Sequence, residues 1–240
     1  MPRYFGASWV SVIALLGAGP ALAGMGPCEP ATDFGLICGS GDGAARAIVK
    51  TISPSKRLAF AWRLTGRPPI SPPEKDDTDL ENMIVRLVDG STIATSRGAY
   101  WDLSTKIAKA YLMTAWSPDS HLLVKVEQRA ESVSAELFAF VEDDTATGPF
   151  DLTEVIASAL REKISAPADN NSVLVFSARP VMAIDDQGLL RAVVNMRRED
   201  SNDSQPYDVT VQLTHRADSL GANVVSVTPR AGTSISIIVH

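Results

Sequence analysis

Ser53-Pro54-Ser55-Lys56-Arg57-Leu58-Ala59-Phe60-Ala61-Trp62-Arg63-Leu64 decides how this chain is read. Its polar Ser-Pro start is a turn signal, since proline fixes φ and interrupts regular structure. From Leu58 onward the residues alternate with period two. Leu58, Phe60, Trp62 and Leu64 form one bulky apolar face, and Ala59, Ala61 and Arg63 form the other, which is the pattern of a half-buried β-strand.

The same order of turn and strand returns in Ser117-Pro118-Asp119-Ser120-His121-Leu122-Leu123-Val124, at residue numbers larger by 64. A third unit starts near Asp185, where Asp185-Asp186-Gln187-Gly188 leads into Leu189-Leu190. Further alternating runs occupy Met83 to Val88, Leu137 to Val141, Val173 to Phe176, Leu190 to Met196, Val209 to Leu213, Val224 to Val227 and Ile235 to Val239. Asp89-Gly90 reads as a hairpin turn, and the polar stretch from Glu199 to Pro206 as the connection between two long hairpin strands. The spacing predicts at least nine strands.

One segment has the helical period instead. Leu152, Val155, Ile156, Ala159, Leu160 and Ile164 recur at helical spacing over Asp151 to Ile164, with Asp151 and Glu154 placed as a capping box. The expected fold is therefore all-β, mainly antiparallel, with one amphipathic helix at about 151–164. Units of this length each hold about four strands, as propeller blades do. The Trp116-Ser117-Pro118-Asp119 turn resembles the turns of WD-type and Tol-system propeller repeats, whose blades carry Ser-Pro-Asp before a strand. That resemblance implies propeller-like blade sheets. Three blades are fewer than the four to eight of a normal ring, and a β-sandwich is the alternative.

Residues 1–23 read as a secretory leader, with Arg3 as its positive charge, Trp9 to Leu16 as its apolar core and Ala21-Leu22-Ala23 as its cleavage box. The mature chain then starts near Gly24, and 24–240 reads as a single β-rich domain of about 217 residues, long enough to bury a substantial core. Met25 stands where a lipoprotein would need a cysteine, and no later stretch is long and apolar enough to suggest a transmembrane helix. A periplasmic or secreted location is the expectation. Cys28 and Cys38 are the two cysteines, and in such a compartment their expected state is a disulfide.

With 28 acidic and 22 basic residues the chain is acidic, which argues against nucleic acid as a partner. Gly39-Ser40-Gly41-Asp42-Gly43 lacks the Lys-Ser/Thr of a phosphate loop, and the acidic clusters Asp76-Asp77-Thr78-Asp79, Glu142-Asp143-Asp144 and Asp185-Asp186 lack the pattern of a calcium loop. The histidines are His121, His215 and His240, and no Gly-x-Ser-x-Gly elbow accompanies them. No cofactor or metal is expected.

Two features suit a partner. Arg67-Pro68-Pro69-Ile70-Ser71-Pro72-Pro73, followed by five acids from Glu74 to Glu81, is a stiff extended loop that loses little entropy on docking. Tyr100-Trp101, read as strand neighbours, point to opposite faces and leave one ring to serve as an aromatic platform. The leading expectation is a non-enzymatic module that binds another protein of the cell envelope, with Pro68, Pro69, Pro72, Pro73, Tyr100 and Trp101 as candidate contacts. The alternatives are an envelope polysaccharide or peptide hydrolase and a small-ligand or metal-binding module.

Overall fold

The computed structural model describes residues 25–32, 35–70, 79–96, 98, 100–103, 106–107, 111–128, 133–142, 145–164, 172–176, 182–198, 204–216 and 219–230. The leader at 1–23 and the Ile235 to Val239 run lie outside them.

The first sheet joins β1 (Cys28–Pro30), β2 (Leu36–Cys38), β3 (Ala45–Ala47), β4 (Leu58–Leu64), β5 (Leu80–Arg86) and β6 (Thr92–Ser96) in chain order, all antiparallel. A two-stranded ribbon comes next, β7 (Asp102–Leu103) with β8 (Lys106–Ile107). The second sheet is again a meander of β9 (Tyr111–Trp116), β10 (Leu122–Gln128), β11 (Val133–Val141) and β12 (Thr145–Asp151). After helix α1 (Thr153–Ile164) come β13 (Ser172–Phe176), β14 (Ala183–Ile184), β15 (Leu189–Arg198), β16 (Ser204–Arg216) and β17 (Ser219–Pro229). In this third sheet β14, β15, β16 and β17 form a meander, and β13 pairs beside β14 on the same edge of β15.

Each sheet thus contains four consecutive antiparallel strands, and the three sheets stack through two cores. Alternation on β4 delivers Leu58, Phe60, Trp62 and Leu64 to the first core, where they meet Ile84 of β5 and Leu123, Phe138 and Phe140 of the second sheet. The opposite face of that sheet sends Val124, Val126, Ala135 and Leu137 to the second core, against Leu190, Ala192, Val194, Val209 and Val211 of the third. Helix α1 lays Leu152, Ile156, Ala157 and Leu160 into the same core. Among the described residues no helix is long and apolar enough to cross a membrane.

The fold departs from the sequence reading in four places. Ala59 and Ala61, expected on a half-exposed face, are fully buried, because the N-terminal hairpin folds across them. The capping box is half formed: the Asp151 carboxylate accepts the Thr153 N–H at 2.8 Å, whereas Glu154 pairs with Arg161 at 3.0 Å. Pro206 belongs to β16 rather than to the connection before it, opposite Asn195 near the start of the strand. Tyr100 and Trp101 lie outside any strand, so the alternation argument does not govern them.

Candidate functional site

The three turn segments that share a sequence pattern form one and the same turn. Ser53, Ser117 and Asp185 each donate their N–H to the carbonyl of the first strand residue, Leu58, Leu122 and Leu189, at 2.8, 2.9 and 3.1 Å. Those leucines return their own N–H to the side-chain oxygen of Ser53, Ser117 and Asp185, at 3.1, 2.8 and 2.9 Å. Inside each loop the N–H of Lys56, Ser120 or Gly188 bonds the carbonyl three residues back. Those three residues share the left-handed conformation, with φ of 59, 65 and 73°. Glycine occupies that conformation readily, while Lys56 and Ser120 hold it against the usual side-chain penalty. The third loop is one residue shorter and is otherwise equivalent.

Neighbouring turns are tied together at one end of the stack. The Ser55 N–H donates to Ser120 Oγ at 2.9 Å, and Trp116 Nε1 donates to the Thr51 carbonyl at 2.8 Å. Ser120 is buried, so the link between the first two turns is sheltered from water. Gly188 faces the Leu122 side chain and brings the third turn beside the second. Strand register places the tips of the β5–β6 and β11–β12 hairpins at this end too, since Leu58 pairs with Arg86 and Leu122 with Ala139.

Five large aliphatic side chains are exposed among the described residues, and three of them, Val49, Val88 and Val141, stand at this turn end at 48, 74 and 49 % exposure. Lys56, Arg57, Asp119, His121 and Asp186, in the turns or next to them, are exposed as well. Asp119 is held in place by the Ser117 hydroxyl and the His121 N–H, and the His121 ring brings Nδ1 to 3.5 Å from its carboxylate. Burial alone raises its pKa, but these bonds outweigh it and keep the carboxyl below the ordinary value. Asp89, in the β5–β6 turn, is lowered to about 2, first by its bond from Arg86 and then by the Ser91 N–H and hydroxyl, against an opposing effect of burial.

A second cluster lies deeper, between the first two sheets. Lys125 is fully buried, with Nζ 3.1 Å from Glu136 and 3.4 Å from Glu127. The ammonium donates to Ser96 Oγ at 2.8 Å, and Ser96 in turn donates to Glu136 at 3.1 Å, so β6, β10 and β11 share one polar knot. The Phe60 ring lies under the ammonium at 5.7 Å. Nearby, the Asn82 amide makes a reciprocal pair with the Tyr100 backbone, at 2.6 and 2.9 Å. This arrangement joins sheets; with both carboxylates turned on one buried cation, it is not an open catalytic pair.

Of the sequence-derived candidates, Cys28 and Cys38 form a disulfide. Tyr100 is fully buried, with its hydroxyl accepting a bond from Lys50 Nζ at 2.8 Å, and Trp101 beside it is half-buried. Pro68 is half-buried and Pro69 buried where the loop leaves β4, while Ile70 is 65 % exposed. Pro72 and Pro73 lie outside the described residues, as do Asp76, Asp77, Thr78, Asp143, Asp144 and His240. Pro68 and Pro69 lie beyond the end of β4 opposite to the turns, away from His121 and Asp119. His215 sits on β16, half-buried. Among the described residues no group of three or more His, Cys, Asp or Glu could hold a metal ion.

Sequence reasoning missed the Lys125 knot and the exposed valines. Both were visible as residues, but neither carries a motif. No family model, curated protein or solved structure matches the chain.

Proposed function

We propose that this chain is an exported, non-enzymatic protein-binding module of the cell envelope, built from three propeller-like blades in an open row, that takes its partner at the turn end. The observation that carries this reading is the turn end itself. Three like turns, the first two hydrogen-bonded to each other and the third beside the second, present exposed side chains at one end of the stack, where three exposed valines also stand. Apolar residues rimmed by polar ones on a fixed scaffold are what a protein partner needs, because little ordering entropy is lost on binding.

Several observations support the blade reading over a two-layer sandwich. The meanders are three in number, and in each the same kind of turn joins the first strand to the second, β3 to β4, β9 to β10 and β14 to β15. The row is open because its ends are finished. The N-terminal hairpin covers the outer face of the first sheet, and the outward face of the third carries Arg191, Asp208 and Thr214, all exposed. Export is supported by the Cys28–Cys38 disulfide, which persists in oxidising compartments.

The test is capture from envelope extract by the mature chain, with three baits: wild type, a turn-end variant carrying Lys56→Glu, Val88→Ser and Val141→Ser, and a chain lacking residues 68–73. The expected result is one protein retained near stoichiometrically by wild type and by the loop deletion, and lost by the turn-end variant. Loss with the loop deletion alone moves the site to the Pro-rich loop. Retention by all three removes both.

A further inference from the structure

Within the N-terminal hairpin, β2 pairs with β3, whereas residues 25–30 are tied to the rest by β1–β2 pairing, by the disulfide and by bonds to the β5–β6 turn. Cys28 and Cys38 face one another across β1 and β2, as direct partners in the register. Just before β1 the chain bonds the β5–β6 turn: the N–H groups of Met25, Gly26 and Cys28 donate to the carbonyls of Gly90, Asp89 and Leu87, at 3.4, 3.0 and 2.9 Å. The approach is close enough to require glycine. A Cβ at Gly90, whose φ is 66°, would collide with the Gly26 carbonyl, and one at Gly39 with the Met25 carbonyl.

Beneath this strap lies a layer of small and flexible side chains, Ala45, Ala47, Ala59, Ala61, Met83 and Val85, all nearly or fully buried. The strap covers it with Met25, Cys28 and Leu36, each only partly buried. β1 and β2 are three residues each, so the disulfide closes a unit with little apolar anchorage of its own. Cys38 is fully buried, whereas Cys28 is half-buried, so an incoming thiolate approaches the bond from the Cys28 side.

We infer that the Cys28–Cys38 disulfide is a redox-controlled latch, which an external dithiol reductant opens to free the N-terminal strap and uncover the small-residue face of the first sheet. The thiolate of the reductant attacks Cys28 Sγ, and Cys38 leaves as a thiolate that takes a proton. A mixed disulfide between Cys28 and the reductant results. The second thiol of the reductant resolves it, releasing Cys28 as a thiol. The pair has gained two electrons and two protons, and the dithiol is oxidised to its own disulfide. Opening also frees the carbonyls of Leu87, Asp89 and Gly90 from Met25, Gly26 and Cys28. They then form a row of acceptors for another extended segment, the geometry of strand addition. The strap is bonded to the β5–β6 turn that carries Val88, but the inference does not rest on the turn-end reading, since its test reads exchange in the strap and not capture of a partner.

The experiment is amide hydrogen exchange on the mature chain from Gly24, oxidised and then reduced with dithiothreitol under native conditions, with thiol alkylation to score the reduction. Reduction is expected to speed exchange at Gly26, Cys28 and across β1 and β2 at least tenfold, with sheets two and three unchanged and protection restored on reoxidation. A double Cys28→Ser, Cys38→Ser chain is expected to show the open pattern without reductant. The inference is overturned if the disulfide resists reduction in the folded chain. It is equally overturned if the strap stays protected after reduction, or if β10, β11, β15 and β16 lose protection with it, which would make the bond an ordinary stabilising cross-link.

Discussion

Ser53 and Ser117 repeat one another in chemistry as well as in sequence, since each hydroxyl receives the N–H of the leucine that opens the next strand. Removing such an acceptor leaves a turn amide unpaired, at a cost of about 1–2 kcal/mol. Ser117→Ala therefore lowers stability by about that amount, measurable as a shift of the urea midpoint. Asp89 makes a different prediction. Its folded pKa of about 2 lies below the 3.8 of an unperturbed carboxyl, so it contributes stability that is complete above about pH 4 and is lost as pH falls through about 2. Asp89→Asn should thus lower the urea midpoint most at pH 5 to 7, with the difference from wild type shrinking towards pH 2; a difference that stays constant with pH contradicts the assignment. At this scale the sequence was informative about turns, because Ser-Pro and Asp-x-x-Gly act locally. It could not show that Lys56 and Ser120 take up the conformation Gly188 holds, since nothing in either residue's chemistry calls for it.

Lys125 shows what an element adds to a residue. The run Leu122-Leu123-Val124-Lys125-Val126-Glu127 alternates, and alternation alone assigns Lys125 and Glu127 to one face without saying what covers that face. The first sheet covers it, and the charges become a buried knot with Glu136. Breaking a buried pair by removing one partner costs about 3–5 kcal/mol, whereas exchanging the whole set for apolar residues is close to neutral. Lys125→Met alone is therefore strongly destabilising in urea titration, and Lys125→Met with Glu127→Leu and Glu136→Leu recovers most of the loss. If the triple variant is no better than the single one, the three charges do not act as one unit. Helix α1 was legible because its apolar period is unbroken from Leu152 to Leu160, and its burial against the third sheet makes Leu160→Ala cost about 2–5 kcal/mol by thermal or chemical unfolding. Its cap was half legible: Asp151 bonds the first turn, but Arg161 draws Glu154 along the helix surface instead.

On the scale of the whole molecule, the regular spacing of the three turns pointed to three sheets, since each turn joins the first two strands of a four-strand meander. How the units stack was not accessible, because packing of one sheet on another depends on which apolar faces meet, and the faces of β4, β10 and β15 are all compatible with several partners. The covered outer face of the first sheet is a consequence of the N-terminal hairpin, whose three-residue strands are too short to announce themselves by alternation. The result is three stacked sheets with a turn end at which Val49, Val88 and Val141 are exposed, as are Lys56 and His121. That end face is the core of the functional account. The most direct measurement is quantitative mass spectrometry of proteins captured from envelope extract by wild type and by the Lys56→Glu, Val88→Ser, Val141→Ser chain, both confirmed as folded. The account predicts one protein retained near stoichiometrically by wild type and reduced at least tenfold with the variant. Equal retention by both chains, or no specific retention by wild type, would contradict it.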